Sequence, residues 1–251
     1  ARKVNKQKYI KYMVSKNVLK QLWQLRQKKF RKQHDLFAVE GKKAIATFLE
    51  HGFDLVHSFA IEKDTDNTIA VEMISANDMK KLSSLSTPTS HWAAFKLPLA
   101  NTFAAQPLNL ALDGIRDPGN MGTIIRLCDW FGIHQLICSA DTVDCFNPKV
   151  VQASMGSLAK VHVHYVDLVS FVAEHNLVAV GTDMQGDNVY TTTLPANAVL
   201  VLGNEGQGIS KAVKSILQQS VSIPSVGNPA AESLNVAMAT AILLSEFGRK
   251  K

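Results

Sequence analysis

Cysteine is scarce in the 251-residue sequence, and its spacing indicates neither a metal nor a redox site. Only Cys128, Cys138 and Cys145 occur, and no two of them form a CxxC pair. Cys128 and Cys138 lie in apolar helix and strand patterns, which predicts reduced core residues. His-x-x-x-His pairs and Cys/His clusters are also missing, and histidines such as His162 and His164 lie on an apolar strand pattern. We therefore expect structural histidines and no metal.

Long hydrophobic runs are missing as well. No stretch approaches the roughly 18 apolar residues of a membrane span. The basic start is not followed by the apolar run, about 7–15 residues long, of a signal peptide. The sequence therefore predicts no membrane partner and a cytoplasmic location.

Acidic residues are absent from the first 32 positions, which contain twelve lysines and arginines. Residues 1–104 contain 18 Lys and Arg against 9 Asp and Glu, whereas residues 105–251 contain 9 against 12. The net charges of +9 and −3 account for the +6 of the chain. A basic module joined to a nearly neutral one predicts that the first module binds a polyanion such as nucleic acid. A merely solvated basic helix is the alternative.

The hydrophobic pattern of residues 1–98 predicts a small α/β module. Helices are expected at 16–32, 42–51 and 77–85, with Asn77 as the N-cap of the last, and strands at 36–41, 55–61 and 91–97. Residues 1–14 are too polar to bury and are predicted to be partly disordered unless bound. Residues 62–68 are expected to form a turn. The first helix would pack one apolar stripe on the core and expose its cations to nucleic acid. The predicted contacts are Lys20, Arg26, Lys28, Lys29, Arg31 and Lys32.

Residues 99–107 lie between two prolines and are predicted to be a linker. Residues 108–251 alternate strands and helices. Strands are expected near 108–115, 135–139, 161–166, 177–182, 198–202 and 220–223, and helices near 121–131, 147–159, 167–175, 209–219 and 233–247. Because the strands are continuous apolar runs, they predict a mostly parallel sheet with helices on both faces. The fold class is therefore α/β.

Three of these strands lead into loops of small and polar residues, which is where open α/β sheets bind ligands. Residues 117–122 read DPGNMG, residues 203–208 read GNEGQG, and residues 233–237 read SLNVA after Ile223-Pro224. None of the loops has a triphosphate-binding Gly-Lys-Ser/Thr ending, a GxGxxG fingerprint or a GxSxG elbow. A general α/β nucleotide-binding protein, which would bind ATP or NAD, is one interpretation.

Taken in order, the three loops resemble the motifs of the SpoU, or TrmH-like, RNA 2′-O-ribose methyltransferases of the SPOUT superfamily. The first motif is matched by 117–122 with Arg126, the second by 202–206 with Gly208, and the third by Ile223-Pro224 with 233–237. The N-terminal module resembles the substrate-binding domain of many members, including FAVEG at 37–41. The likeness covers almost the whole chain. The stretch 225–232 is longer than is usual in the family.

The resemblance implies a deep trefoil knot in the C-terminal sheet, whose loops hold S-adenosylmethionine largely through backbone groups. The cofactor contacts that it implies are Thr182, Leu202, Gly203, Gly208, Ile223 and Leu234. It also implies a homodimer with the helix at 233–247 in the contact. That helix is more apolar than one buried face requires, although a monomeric core helix is the alternative.

The implied reaction is methyl transfer to a ribose 2′-oxygen by Arg126, Asn120, Glu205, Ser233 and Asn235. The family assigns the activation of the hydroxyl to Arg126. A guanidinium is a poor base, because its pKa exceeds about 12, so binding a phosphate and stabilising an alkoxide is an equally physical role. A surface arginine is the third interpretation. Asn120 and Asn235 would orient the ribose and Arg126. Ser233 would either contribute a polar group to the site or serve only as the N-cap of the helix. Glu205 would likewise either contribute to the site or only stabilise the glycine loop.

The function implied is an S-adenosylmethionine-dependent methyltransferase that acts on ribosomal or transfer RNA. Ribosomal RNA is preferred, because an added substrate module suits a large folded target. The alternative is a non-catalytic RNA-binding protein that retains the fold. The presence of all five catalytic candidates favours the enzyme.

Overall fold

The chain divides into two compact units, Ala1–Leu97 and Pro98–Lys251. The structure, a computed structural model, describes residues 14–62, 69–227, 230 and 233–249. The predictions for residues 1–13, for most of the turn at 62–68 and for most of the added loop segment at 228–232 therefore lie outside the described residues.

The first unit is a four-stranded sheet covered by short helices. Its elements are α1 (Lys16–Trp23), α2 (Lys28–His34), β1 (Leu36–Glu40), α3 (Lys42–Glu50), β2 (Leu55–Ala60), β3 (Glu72–Met73), α4 (Ala76–Leu82) and β4 (His91–Lys96). The strand order is β1-β4-β2-β3, with β4 antiparallel to both neighbours and β3 parallel to β2. Aromatic side chains such as Phe37, Phe48 and Trp92 are fully buried in its core.

The predicted helix at 16–32 is wrong as a single element. After α1 the chain makes a 3-10 turn at Gln24–Arg26, and Gln27 is extended (φ −104°, ψ 133°) before α2 begins. This break changes the phase of the second helix. Arg31, predicted to be exposed, is only 3 % exposed and donates from Nη1 to the Leu25 carbonyl at 2.8 Å. Arg31 is therefore a structural residue, and its expected role in binding nucleic acid is withdrawn.

Arg26 and the start of α4 also differ from expectation. The Arg26 guanidinium donates to the carbonyls of Lys81 and Ser83 at the end of α4, so this side chain is held against the unit. The N-cap of α4 is Ser75, whose Oγ accepts from the Asp78 amide at 3.1 Å, and the prediction of Asn77 as the cap is wrong.

The second unit is a six-stranded sheet in which every pairing is parallel. Its elements are β5 (Leu108–Asp113), α5 (Pro118–Trp130), β6 (Gln135–Ser139), α6 (Pro148–Ser154), β7 (His162–Val166), α7 (Leu168–Glu174), β8 (Val178–Asn188), β9 (Ala198–Gly203), α8 (Lys211–Lys214), β10 (Gln219–Ser222) and α9 (Val236–Arg249). The strand order is β10-β8-β9-β5-β6-β7. The predicted α/β class with a parallel sheet is confirmed. Strands β5 and β9 are its buried centre, as their apolar runs require.

Several elements of this unit depart from their predicted bounds: α5 begins three residues earlier than expected and α6 ends five residues earlier. Helix α8 has one turn rather than the span 209–219, because residues beyond it turn back and the Gln218 amide donates to the Ala179 carbonyl. Strand β8 continues past 182 to Asn188, since β10 pairs with it across a register shift after Ser220. Helix α9 begins three residues later than expected.

Residues 98–107 contain no helix or strand, but they are packed on the second unit. Phe103 lies with its ring centroid 4.9 Å from that of Phe171 and 4.8 Å from that of His175. The three cysteines are free and buried, and burial raises the pKa of the Cys128 and Cys138 thiols well above the usual value. The predicted core role of these two residues is thus confirmed.

Within the described parts of the chain, none of the helices combines the length and hydropathy that a membrane span requires. Among the same residues, no three or more His, Cys, Asp or Glu side chains are grouped so as to hold a metal ion.

Candidate active site

The first motif comprises the N-cap and the first turn of α5, after β5 at the carboxyl edge of the sheet. Asp117 caps α5, because its Oδ1 accepts from the Asn120 amide at 2.8 Å, and Pro118 occupies the first turn, where no backbone donor is needed. A Cβ on Gly122 would lie 2.4 Å from the Ala153 Cβ, so this glycine lets α5 approach α6 closely. The loop thus directs the Asn120 side chain to the edge where the parallel strands end.

The second motif loop is fastened at both of its ends. Asn204 and Gly208 exchange two backbone hydrogen bonds, of 3.1 and 2.8 Å. A Cβ on Gly203 would lie 2.3 Å from the backbone of Gly208 and Ile209, so only glycine fits there. The closed loop presents Glu205 at its tip.

Asn204 joins this loop to the first one. Its Nδ2 donates to the Gly114 carbonyl at 2.8 Å, while its Oδ1 accepts from the amides of Gly206 and Gln207. A second link runs from the Ser210 amide to Asp113 Oδ2 at 2.7 Å. Sequence reasoning missed both Asn204 and Asp113. Asp113 is the last residue of β5 and Asn204 follows the adjacent buried strand β9, and these positions were the available signal.

The third motif contributes Asn235. Its Oδ1 accepts from the amides of Ala237 and Met238, so Asn235, rather than Ser233, caps α9. Its Nδ2 donates to Asn120 Oδ1 at 2.9 Å, and Asn120 Nδ2 donates to Glu205 Oε1 at 2.5 Å. The three motif loops therefore meet in one hydrogen-bonded chain, Glu205–Asn120–Asn235, which we call the polar relay. The amide of Asn120 is its centre.

A cavity of about 310 Å³ lies beside the middle of β8, at the end of β10 and against α9. Of the predicted residues, Thr182, Ile223, Ser233 and Leu234 line it. Its walls are mainly apolar, and Asp183, which sequence reasoning did not select, adds a carboxylate. The Thr182 hydroxyl donates to the Val201 carbonyl at 3.1 Å, which ties the cavity wall to β9.

The remaining predicted residues do not line this cavity. Leu202 is buried in the sheet, and Gly203 and Gly208 close the second loop. Arg126 is exposed on α5, and its side chain makes no hydrogen bond or ion pair with any residue that the structure describes. It stands six residues after Asn120, which puts the two side chains on different sides of the helix. The relay thus unites three of the five catalytic candidates, Ser233 lies at the cavity, and Arg126 stands apart.

S-adenosylmethionine fits the residues at this cavity. The volume is at the lower end of the roughly 300–1,000 Å³ of ligand pockets. Ile223, Leu234 and Leu243 offer apolar surface to an adenine ring, and Asp183 provides a charge opposite to that of a sulfonium or an ammonium group. An apolar pocket with a few convergent polar groups is the usual form of a cofactor site.

Comparison with known proteins agrees with this geometry. The model of the SpoU rRNA Methylase family matches residues 107–245, and that of the MRM3-like substrate binding domain matches residues 16–93. The chain belongs to the SpoU rRNA methylase family, which comprises RNA ribose methyltransferases.

Two of the curated relatives and one of the solved structures illustrate what this chain is similar to. A 23S rRNA (guanosine-2′-O-)-methyltransferase of Neisseria meningitidis is 34 % identical over 58 % of this chain and 59 % of its own length. A 23S rRNA (guanosine(2553)-2′-O)-methyltransferase of Bacillus subtilis is 29 % identical over 88 % of this chain and 91 % of its own. The SpoU methyltransferase AviRb of Streptomyces viridochromogenes, solved with AdoMet, is 27 % identical with a TM-score of 0.83, covering 94 % of this chain and 98 % of its own. This chain therefore spans about three fifths of the first relative and nearly all of the other two.

Proposed function

We propose that this chain transfers a methyl group from S-adenosylmethionine to a ribose 2′-hydroxyl of ribosomal RNA. The observation that carries the proposal is the position of Asn120, which is hydrogen-bonded to Glu205 at 2.5 Å and to Asn235 at 2.9 Å. Three loops that are far apart in sequence thus present one fixed set of polar groups at the edge where a parallel sheet binds its ligand. The AdoMet-bound structure of AviRb and the 23S rRNA relatives support the same reaction.

The proposed cofactor contacts are the wall residues of the cavity and the backbone of the second loop. Ile223 and Leu234 hold the adenine by apolar contact, and Thr182 fixes the edge of β8. Leu202, Gly203 and Gly208 act through the backbone, since the glycines let the chain turn tightly there. When bound, S-adenosylmethionine supplies a methyl group that its positive sulfonium already activates.

The chain's own residues position the hydroxyl and stabilise the charge that develops on its oxygen. The relay holds the Asn120 amide in one orientation, and Ser233 at the cavity offers a further hydroxyl. The exposed guanidinium of Arg126 is free to bind the neighbouring phosphate or the developing alkoxide, because none of the described residues engages it. We prefer this role to that of proton acceptor, since a guanidinium stays charged. The proton of the hydroxyl leaves to solvent as the methyl group is transferred, and S-adenosylhomocysteine is the other product.

Ribosomal RNA is the preferred substrate over transfer RNA, because the curated relatives described above act on 23S rRNA. In the first unit, Lys20, Lys28, Lys29 and Lys32 are exposed and supply phosphate contacts. Arg26 contributes to that surface from a fixed position.

Three further properties are part of the proposal. The chain forms a homodimer through α9, whose Met238 is 61 % exposed, and through α5, whose Trp130 is 83 % exposed. The sheet carries the trefoil knot that is expected of the fold. The protein acts in the cytoplasm, where its substrate is expected.

The proposal is tested by methyl incorporation from radiolabelled S-adenosylmethionine into 23S rRNA, with calorimetry of the same chain against S-adenosylmethionine and ATP. We expect binding of S-adenosylmethionine only. Arg126→Ala should abolish transfer and leave cofactor affinity unchanged, and Arg126→Lys should restore part of the rate if charge is what matters.

Two results would contradict the proposal. Preference for ATP would identify a general nucleotide-binding protein. RNA binding without any methyl incorporation would identify a non-catalytic RNA-binding protein. Mapping of ribose methylation in ribosomal RNA from cells that lack the protein would then locate the modified nucleotide.

A further inference from the structure

The first unit has a groove of about 860 Å³ between α1 and α4. Its apolar wall includes Leu19, Trp23, Met73 and Ile74. Trp23 and Met73 are each 42 % exposed and line the same groove, and a contiguous exposed apolar patch is typical of an interaction site. The groove therefore combines a large volume with an accessible aromatic ring, and the proposed reaction uses neither.

The Trp23 ring is held in place by Arg26. The guanidinium carbon lies 5.4 Å from the ring centroid, and the guanidinium itself donates to the carbonyls of Lys81 and Ser83. A cation fixed over one side of an indole restrains the ring and leaves its remaining surface to a second flat group. Arg26 thus covers part of the Trp23 ring, and the 42 % of the side chain that is exposed is accessible for stacking.

The rim of the groove is positively charged. Lys16 and Lys20 project from α1, and both are exposed. Lys81 also lines the groove, but its Nζ lies 3.0 Å from Asp78 Oδ1, so these two charges compensate each other. Hydrogen bonds from Ser75 and Lys81 hold the pKa of Asp78 below its usual range, so this carboxylate remains ionised. Lys16 acts on the same carboxylate only at longer range, so Lys16 and Lys20 flank the aromatic floor without a direct ion pair among the described residues.

We propose that this surface, the Trp23 groove, binds an unpaired nucleotide of the RNA substrate. The base stacks on Trp23 between the apolar walls, while Lys16 and Lys20 contact the phosphates on either side. The inference rests on the proposed function and deepens it, because it requires that the RNA offers a single-stranded loop or bulge to the first unit.

The chemistry favours an unpaired nucleotide over a duplex. An RNA helix presents phosphates and 2′-hydroxyls. Its bases are stacked on one another, so no base face is accessible for stacking on an indole ring. An aromatic surface flanked by cations is instead the usual site for a base that has left its stack. An apolar peptide would fit the walls but would leave both lysines without a partner.

The test is the affinity of the full chain for two labelled RNAs, a single strand of about 12 nucleotides and a duplex of the same length, measured by fluorescence anisotropy over a range of KCl concentrations. Trp23→Ala should weaken single-strand binding about 5- to 150-fold, the range expected for one stacked base, without changing the slope of log affinity against log salt. Trp23→Phe should recover most of the loss. Binding of the duplex should change little.

Charge variants complete the test. Lys20→Gln should lower the salt slope for the single strand by about 0.7, because one phosphate contact is lost. Lys43→Gln, on exposed α3 surface outside the groove, is the matched control and should lower the slope less. Thermal unfolding of the Trp23 variants verifies that they fold.

Equal loss of single-strand and duplex affinity in Trp23→Ala would overturn the inference, since the groove would then be a general electrostatic surface. Unchanged affinity in a folded Trp23→Ala variant would also overturn it and would assign the groove to another occupant, residues 1–13 of the chain included. Methyl incorporation by the unmodified chain, measured in parallel, separates the two proposals. Failure of the proposed function appears in that assay, whereas failure of the groove appears only in the Trp23 variants.

Discussion

The two units present polar groups in opposite ways. In the second unit, the relay consists of two neutral amides and one carboxylate, which two hydrogen bonds join to one another. In the first unit, the candidate contacts are lysines spread over the exposed surface of short helices. A reaction needs fixed geometry, because a displacement of about 1 Å is costly. A polyanion needs only positive charge along its path, because it offers a phosphate at every step.

This contrast implies different responses to substitution. Removal of Asn120 breaks both hydrogen bonds that join the three motifs, whereas removal of one lysine takes away one of many similar contacts. The effects expected below therefore fall from the relay, through the backbone that supports it, to the basic surface.

The largest effect is expected for Asn120→Asp. This change keeps the shape of the side chain but puts a second carboxylate within about 2.5 Å of Glu205. We expect the methyl-transfer rate at neutral pH to fall about 100-fold or more, as is usual when a positioned donor in an active site is lost. Like charges raise the pKa of the pair, so a shared proton should restore part of the rate as the pH falls. The measurement is the rate as a function of pH.

Asn77→Asp is the matched control for this change, since it replaces an exposed amide in the first unit. It should leave the rate unchanged. If the methyl-transfer rate of Asn120→Asp depended on pH in the same way as that of the unmodified chain, the relay would have no role in the mechanism. The contrast between the two units would then be weaker.

A loss of stability is expected for Gly203→Ala and not for Gly206→Ala. The added Cβ would lie 2.3 Å from backbone atoms at position 203 but 3.6 Å from its nearest neighbour, Asn204 Oδ1, at position 206. Overpacking of this kind costs about 1–3 kcal/mol, which corresponds to a fall in Tm of about 2–12 °C for a unit of this size. Thermal unfolding of the two variants measures the difference. Equal Tm values would mean that the backbone of the second loop moves to make room for the added Cβ at position 203.

Arg31→Gln and Lys32→Gln compare a buried cation with an exposed neighbour. Loss of Arg31 leaves the Leu25 carbonyl without this donor in a buried position, at a cost of about 1–3 kcal/mol in the free energy of unfolding. Lys32 is exposed, so its replacement should change that free energy by less than about 0.5 kcal/mol. Denaturant titration gives both values. A larger fall in the free energy of unfolding for Lys32→Gln than for Arg31→Gln would show that burial does not decide which of the two cations stabilises the unit.

The smallest effect is expected in the salt dependence of RNA binding. Lys32→Gln should reduce the slope of log affinity against log salt by about 0.7–0.9, and Arg31→Gln should not reduce it. Substitution is a sharper test than deletion of residues 1–32, because deletion would also remove Leu22 and Leu25 from the core of the first unit. A reduced slope for Arg31→Gln alone would reverse the assignment of these two residues.

The elements that were predictable from sequence are those with a strong local signal. The buried apolar runs of β5 and β9 could be recognised from consecutive residues. Asn120 and Asn235 were selected because they lie in motifs that resemble those of the family. Their meeting point followed from the rule that parallel strands end at one edge.

Other features depend on contacts that no local pattern contains. The apolar pattern continues across Gln27 and therefore predicts a single helix. The extended backbone of Gln27 breaks that helix and rotates α2, so that Arg31 faces the core. The extension of β8 to Asn188 requires β10 as a neighbour, more than thirty positions later. The role of Asn204 depends on the Gly114 carbonyl, 90 positions away. The period of the apolar residues predicts which residues of an element are buried. It does not predict the hydrogen-bond partners of polar side chains, because these partners come from distant parts of the sequence.

The relay has a consequence for the order of events in folding. Its bonds join residues 85 and 115 positions apart, so they close only when almost the whole second unit has been synthesised and its strands have paired. Contacts between such distant residues form late and slowly. An incomplete chain in which β5, α5 and β6 are already paired would still lack the partners of Asn120, and methyl transfer would begin only once the last helix has docked.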